Sequence, residues 1–219
     1  MLKNWLYKNN NDSCILFFNG WGMDENAVKH LRPDGFDICM FNNYRAIYPA
    51  DETEFNYKTT YLIAWSLGVC VANSFLKTTT IKISGTIGLN GSPVPMDNKY
   101  AIPEEVFNRT LQSWDEKNRT KFNLRMFGGK SGYDRCINHL SERSTNSQLE
   151  ELKFIYKIKE VFTYNAKWDN VYIGKHDLII PYENQKNFWT NKTKIIETDW
   201  PHFPFNHFKS WNEIIEKQV

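Results

Sequence analysis

Apolar and polar positions along the chain alternate between two rhythms. Short apolar runs bounded by turn residues recur, and each is followed by a stretch with helical spacing. Ser13 to Phe18 (SCILFF) is the first such run and ends at Asn19-Gly20. Phe36 to Phe41 (FDICMF), Thr59 to Ala64 (TTYLIA) and Ser84 to Leu89 (SGTIGL) repeat the pattern, the last closed by Asn90-Gly91-Ser92-Pro93. Val171 to Ile173 and Lys194 to Glu197 are shorter versions. Runs of four to eight apolar residues between Gly, Asn and Pro read as buried strands. The spacing predicts helices from Asp24, as cap, through Leu31; from Leu67 to about Leu76; and from about Phe205 to Glu216. Strands that alternate with helices imply a mainly parallel sheet covered on both faces.

From Lys99 to Phe162 the rhythm changes. Strand signals vanish and charge-rich helical stretches replace them, beginning at Pro103-Glu104-Glu105, a proline in a first turn with acids behind it. The expected organisation is therefore an α/β core over residues 1–98 and 163–219, interrupted by a helical lid over residues 99–162.

Ligand sites in such sheets lie at the carboxyl ends of strands, and four of those ends carry suggestive residues. Ala64-Trp65-Ser66-Leu67-Gly68 joins the TTYLIA strand to the next helix. It has the form of a G-x-S-x-G nucleophile elbow with Ala in the first position. The tight turn lifts the serine oxygen above the sheet edge, and small residues on either side let strand and helix approach. A helix-capping serine is the simpler alternative. The loop Asn19-Gly20-Trp21-Gly22-Met23-Asp24 follows the first strand. Its glycines allow close backbone approach, and the N–H groups of Trp21 and Leu67 are candidate oxyanion donors. Read by itself, this loop is a glycine-rich turn before a capping Asp24.

A nucleophilic serine needs a base, and the base an orienting carboxylate. In the order Ser, Asp, His expected of this architecture, Asp177 in Gly174-Lys-His-Asp177 follows the fifth strand, and His202 in Trp200-Pro-His202-Phe-Pro-Phe205 follows the sixth. Asp97 is the alternative acid; His176 and His207 are the alternative bases. His30 and His139 are read as surface or packing residues.

Composition narrows the picture. A chain of 219 residues with 41% hydrophobic and 24% charged residues is long enough for one sizeable core. With 27 basic against 25 acidic residues, its net charge of +2 argues against a nucleic-acid protein that binds by bulk charge. No apolar run approaches the roughly 18 residues of a membrane span, and the first residues show no signal-peptide pattern. Cys14, Cys39, Cys70 and Cys136 form no C-x-x-C pair, which suits free buried thiols in a reducing cytoplasm. Charge is unevenly spread, however. Between Lys117 and Arg143 seven basic residues face only Asp134 and Glu142, a local excess of +5. A solvated helical face and a docking surface for an acidic partner both fit that excess. Phe107, Leu111, Trp114, Phe122, Met126 and Phe127 in the same insert suit its own core or an acyl channel.

Taken in order, FFNGWGMD, AWSLGV, LNGSPVPMD, IP-x-x-x-F, GKHDLIIP and PHFPF resemble the BioG-type pimeloyl-[acyl carrier protein] methyl ester esterases of biotin synthesis, small members of the α/β-hydrolase superfamily. The resemblance runs from Trp5 to the final helix. It implies an α/β-hydrolase fold with a helical lid. It implies a catalytic triad of Ser66, Asp177 and His202, with an oxyanion hole from the backbones of Trp21 and Leu67. It further implies a cytoplasmic, monomeric serine carboxylesterase that needs no metal or organic cofactor and binds neither nucleic acid nor membrane. The partner would be an acyl carrier protein bearing the substrate, docked on Arg119, Lys121 and Arg125. Trp21, Trp65, Phe122 and Met126 would contact the acyl chain.

Overall fold

The structure is a computed structural model that describes residues 1–46, 52–164 and 166–216. Its centre is a seven-stranded sheet of β1 (Leu2–Tyr7), β2 (Ser13–Phe18), β3 (Phe36–Asn42), β4 (Thr59–Trp65), β5 (Gly85–Leu89), β6 (Asn170–Gly174) and β7 (Lys194–Thr198), in the order β1-β3-β2-β4-β5-β6-β7. β1 runs antiparallel to β3; every other neighbouring pair is parallel. The four most apolar strands, β2 to β5, occupy the middle, where both faces are covered. Their continuous apolar sequence suits that placement.

Adjacent side chains on β2 point to opposite faces, and their partners show how the sheet is covered. Phe18 packs on Phe75 of α1 (Gly68–Thr78), while Phe17 packs on Trp211 of the C-terminal helix Trp211–Glu216. Four helices fill the stretch between β5 and β6. They are α2 (Glu104–Ser113), α3 (Glu116–Met126), α4 (Lys130–Arg135) and α5 (Thr145–Lys157). α6 (Tyr182–Trp189) then links β6 to β7, and the C-terminal helix is α7.

Three local expectations change. β1 is an additional edge strand; its half-exposed pattern, with Lys3 and Asn4 between apolar residues, has no clean strand signature. The helix expected from Asp24 to Leu31 is a single 3-10 turn, Glu25–Ala27. Asp24 caps it by accepting from the Asn26 N–H, and the chain leaves helical geometry at Val28, with φ −130 and ψ −1. The final helix is split into a 3-10 turn at Phe205–His207 and α7. Between them the chain extends to pair with Arg32: Arg32 donates its N–H to Lys209 O and accepts from Trp211 N–H, both at 3.1 Å. All four cysteines are free and buried, and burial pushes the Cys39 thiol up to about 12.

Candidate active site

The parallel register brings four strand ends together. β4 lies beside β2, so the turn after β4 meets the loop after β2; β6 and β7 deliver two further loops on the same edge. Ser66 closes β4 with φ +57, the left-handed conformation that non-glycine residues adopt only where neighbours impose it. Its N–H donates to Leu89 O at 3.0 Å, which ties the turn to β5. Gly68 opens α1 against the end of β2. A Cβ there would stand 2.3 Å from Phe18 O and 2.5 Å from Asn19 O, both backbone atoms. The strand-to-helix turn therefore exists only with glycine at this position. Gly68→Ala is expected to cost about 3 kcal/mol and to lower Tm by roughly 6–12 °C; a calorimetric Tm equal to the parent's would show that the turn has room.

Ser66, Asp177 and His202 converge in a line. Ser66 Oγ lies 2.9 Å from His202 Nε2, and His202 Nδ1 lies 2.8 Å from Asp177 Oδ2. All three are buried. Asp177 is fixed from several sides. Its Oδ1 accepts the N–H groups of Ile179 (2.8 Å) and Ile180 (2.9 Å), and its Oδ2 accepts from Gln185 Nε2 at 2.9 Å. The carbonyl of His202 receives the Trp65 indole N–H and Asn90 Nδ2, each at 2.9 Å. Asn90 also accepts from Gly174 N–H at 2.7 Å, so one side chain joins the loops after β5, β6 and β7. Such a line positions a hydroxyl, an imidazole acceptor and an orienting carboxylate for proton transfer.

The rival residues lie elsewhere. Asp97 accepts from the N–H groups of Lys99 and Tyr100 in its own turn. His207 stacks on Trp200 at 4.9 Å, and His30 packs on His139 at 4.4 Å with the rings tilted by 56°. His176 sits in the loop beside Asp177, its backbone N–H donating to Trp200 O.

Trp21 and Leu67 flank Ser66 on the two adjoining loops. Among the described residues, neither backbone N–H donates to a protein acceptor, whereas Gly20 N–H is taken by Asn19 Oδ1 and Gly22 N–H by Glu151 Oε2. Leu67 is the cap residue of α1 and gives it no side-chain capping bond; the first-turn N–H groups add partial positive charge. Two free donors beside a buried hydroxyl are what a developing oxyanion requires.

Above these groups lies a narrow, largely apolar cavity open to solvent. Trp21, Trp65, Phe122 and Met126 all border it, with Ile102, Val106 and Phe107 from the insert. Trp65 is 1% exposed and its indole is committed to His202, so it serves chiefly as a prop. The remaining aromatic residues of the insert divide between roles. Trp114 packs on Trp21 at 4.5 Å, and Phe127 on Phe203 at 4.8 Å. Arg125 stands at the cavity mouth and also borders an adjoining groove with Arg109, Thr110 and Lys121. Arg119 is differently engaged: it pairs with Glu116 at 2.5 Å and donates to Arg143 O at 3.0 Å. Among the described residues, no group of three or more His, Cys, Asp or Glu could hold a metal ion, and no helix is long and apolar enough to cross a membrane.

Asn90, Gln185, Gln148 and Glu151 hold the site together and carry no local sequence signature. Their partners lie far off along the chain, except that Gln185 reaches Asp177 across only eight residues.

Comparison with known proteins supplies a family. The model of the family described as "Pimeloyl-ACP methyl esterase BioG" matches residues 2–214. A malonyl-[acyl-carrier protein] O-methyltransferase of Bacteroides fragilis is 32% identical over 177 residues. That match takes in 80% of this chain, but the chain spans only about a third, 36%, of that curated relative. The crystal structure of BioG from Haemophilus influenzae superposes with a TM-score of 0.89 at 27% identity, covering 98% of this chain and 99% of that one. An esterase from Exiguobacterium antarcticum shares the α/β-hydrolase fold, with a TM-score of 0.71 at 13% identity over 93% of this chain and 88% of that one.

Proposed function

Because the chain belongs to the pimeloyl-ACP methyl esterase BioG family, and so is an ester hydrolase, we propose that it removes the methyl group from pimeloyl-[acyl carrier protein] methyl ester in biotin synthesis. The products are methanol and pimeloyl-[acyl carrier protein]. The observation that carries the chemistry is the continuous line from Ser66 through His202 to Asp177, at 2.9 and 2.8 Å.

In this reading His202 Nε2 takes the Ser66 proton as Oγ attacks the ester carbonyl. The Trp21 and Leu67 N–H groups hold the oxyanion, each worth about 2.7–4 kcal/mol of barrier. The tetrahedral intermediate collapses, methanol departs with the proton from His202, and Ser66 keeps the acyl group. Water, deprotonated by His202, then attacks the acyl carbonyl; collapse returns the proton to Ser66 Oγ and frees the acid. Asp177 holds the imidazole in the tautomer that leaves Nε2 able to accept. No metal or organic cofactor has a step.

The cavity walls support that substrate class. An apolar slot above Ser66 suits a methylene chain lying with its methyl ester at the serine. The tethered end would leave past Arg125, where the groove with Arg109 and Lys121 begins. Lys121 and Arg125 are exposed, and among the described residues neither has an ion pair, so both can meet an acidic carrier. Arg119, committed to Glu116, serves less well. The protein would act as a cytoplasmic monomer.

The test is turnover of the carrier-bound methyl ester against a free small ester. Reversing both Lys121 and Arg125 to glutamate is expected to lower kcat/KM for the carrier-bound ester by about 10-fold or more, mostly through slower association, and to leave the free ester within about two-fold. Equal losses on both substrates would remove the docking surface. A parent enzyme indifferent to the carrier would leave a broad small-ester esterase or thioesterase.

A further inference from the structure

The oxyanion loop is built from residues with little stiffness of their own. Gly20 and Gly22 flank Trp21, and Gly22 sits at φ +71. Within the loop the Gly20–Trp21 peptide is held only by a 3.3 Å bond from Met23 N–H to Gly20 O, so with glycine on both sides the direction of the Trp21 N–H depends on what grips the loop from outside. The structure shows what sets it. Helix α5 of the insert places Gln148 and Glu151, three apart and on one helix face, against the Trp21–Gly22 segment. Gln148 O accepts the Trp21 indole N–H at 2.8 Å, and Gln148 Nε2 donates to Gly22 O at 2.9 Å. Glu151 Oε2 accepts the Gly22 N–H at 3.2 Å, and its Oε1 accepts the Tyr44 N–H at 3.0 Å. Tyr44 in turn donates its hydroxyl to Asn19 O at 2.7 Å, at the root of the same loop.

Glu151 is 0% exposed, so its carboxylate is retained at a cost. Arg143 offsets that cost, its Nη1 donating to Oε2 at 2.6 Å. The pairing also has an electrostatic consequence. A bare carboxylate one peptide from the oxyanion donor would oppose the charge that develops there; paired with the guanidinium, it grips the Gly22 N–H with little net negative field.

We infer that Glu151 is a positioning residue: reaching in from the lid, it fixes the Trp21–Gly22 peptide and thereby aims the Trp21 N–H. The meaning given to that N–H rests on the serine-esterase reading above. The grip itself is a statement about the loop alone.

Two variants test this. Glu151→Gln leaves the Arg143 guanidinium buried and unpaired, so it is expected to lose stability as well as activity. Glu151→Gln combined with Arg143→Met removes both charges and is expected to recover most of the Tm. In each variant kcat for a p-nitrophenyl ester is expected to fall about 10- to 100-fold, with KM within two-fold, well below the melting temperature. Backbone amide exchange at Trp21 and Gly22 should quicken at least ten-fold while β2 keeps its protection. A double variant with parental kcat, or parental exchange at Trp21 and Gly22 in the folded protein, overturns the inference and leaves Glu151 a simple structural ion pair. The exchange measurement requires no turnover. A parent that hydrolysed no ester would therefore sink the esterase reading, while the exchange rates would still decide whether Glu151 holds the loop.

Discussion

Ser66→Ala is expected to lower kcat for ester hydrolysis by about 10⁶-fold while leaving the fold in place. The substitution removes one oxygen and keeps the Cβ. The contacts that impose φ +57 on this residue are backbone ones: Ser66 N–H to Leu89 O, and Val69 N–H to Ser66 O, both 3.0 Å. Those survive, so the elbow survives. What is lost is the only hydroxyl hydrogen-bonded to His202 Nε2 among the described residues. A missing buried hydroxyl bond costs stability of about 1 kcal/mol, far too little to unfold a core that holds Trp65, Trp189 and Trp211 fully buried. Rate and stability thus part company at this residue. The measurement is steady-state hydrolysis beside mass spectrometry of protein treated with a fluorophosphonate: an adduct on Ser66 in the parent, none in the variant. His202→Ala should abolish both signals too, since no base remains to take the proton. Hydrolysis near the parent rate in either variant would mean that the serine is a capping residue and that the chemistry lies elsewhere.

The site was legible in sequence to the extent that its residues sit directly behind apolar runs. SCILFF, TTYLIA and the short strands β6 and β7 are read from local pattern, and a parallel sheet converts "after the strand" into "on one edge". Position in the sheet then brings Trp21, Ser66, Asp177 and His202 within one small volume. Pattern failed where long-range pairing overrode it. β1 is amphiphilic because an edge strand has one covered side and one wet side. The C-terminal helix breaks at Lys209–Ser210 because Arg32, remote in sequence and adjacent in space, captures the backbone there. The props of the site were invisible for the same reason: Asn90 reaches loops 84 and 112 residues away, and Glu151 reaches Gly22 across 129. Charge counting had a related blind spot. The local excess of +5 is real, but Arg119 and Arg143 spend their charge within the helical insert, on Glu116 and Glu151. Lys121 and Arg125 are left facing solvent beside the cavity.

Asp177→Asn is the second large effect, expected to lower kcat by about 10⁴-fold with little change in KM. The size follows from which atoms surround the carboxylate. Oδ1 accepts two backbone N–H groups, from Ile179 and Ile180, and an amide nitrogen cannot stand there without facing two donors. The new carbonyl oxygen must take that place, which turns the new NH₂ toward His202 Nδ1 and Gln185 Nε2. His202 then has to accept at Nδ1 and carry its proton on Nε2. In that tautomer the imidazole donates toward Ser66 Oγ and cannot take its proton. The serine, the Trp21 and Leu67 N–H groups and the cavity are untouched, so ground-state binding holds and the loss falls on kcat. Gln185 sharpens the test. Its Oε1 is buried without a partner, but its Nε2 also donates to Ile180 O at 2.9 Å, so turning the amide over to receive the new NH₂ gives up that bond and costs about 1 kcal/mol of stability. A variant that keeps its Tm within a few degrees yet loses about four orders of magnitude in kcat would fix Asp177 as the orienting group. A loss smaller than about ten-fold would show that the loop after β7, held by Trp65 and Asn90, sets the imidazole without it.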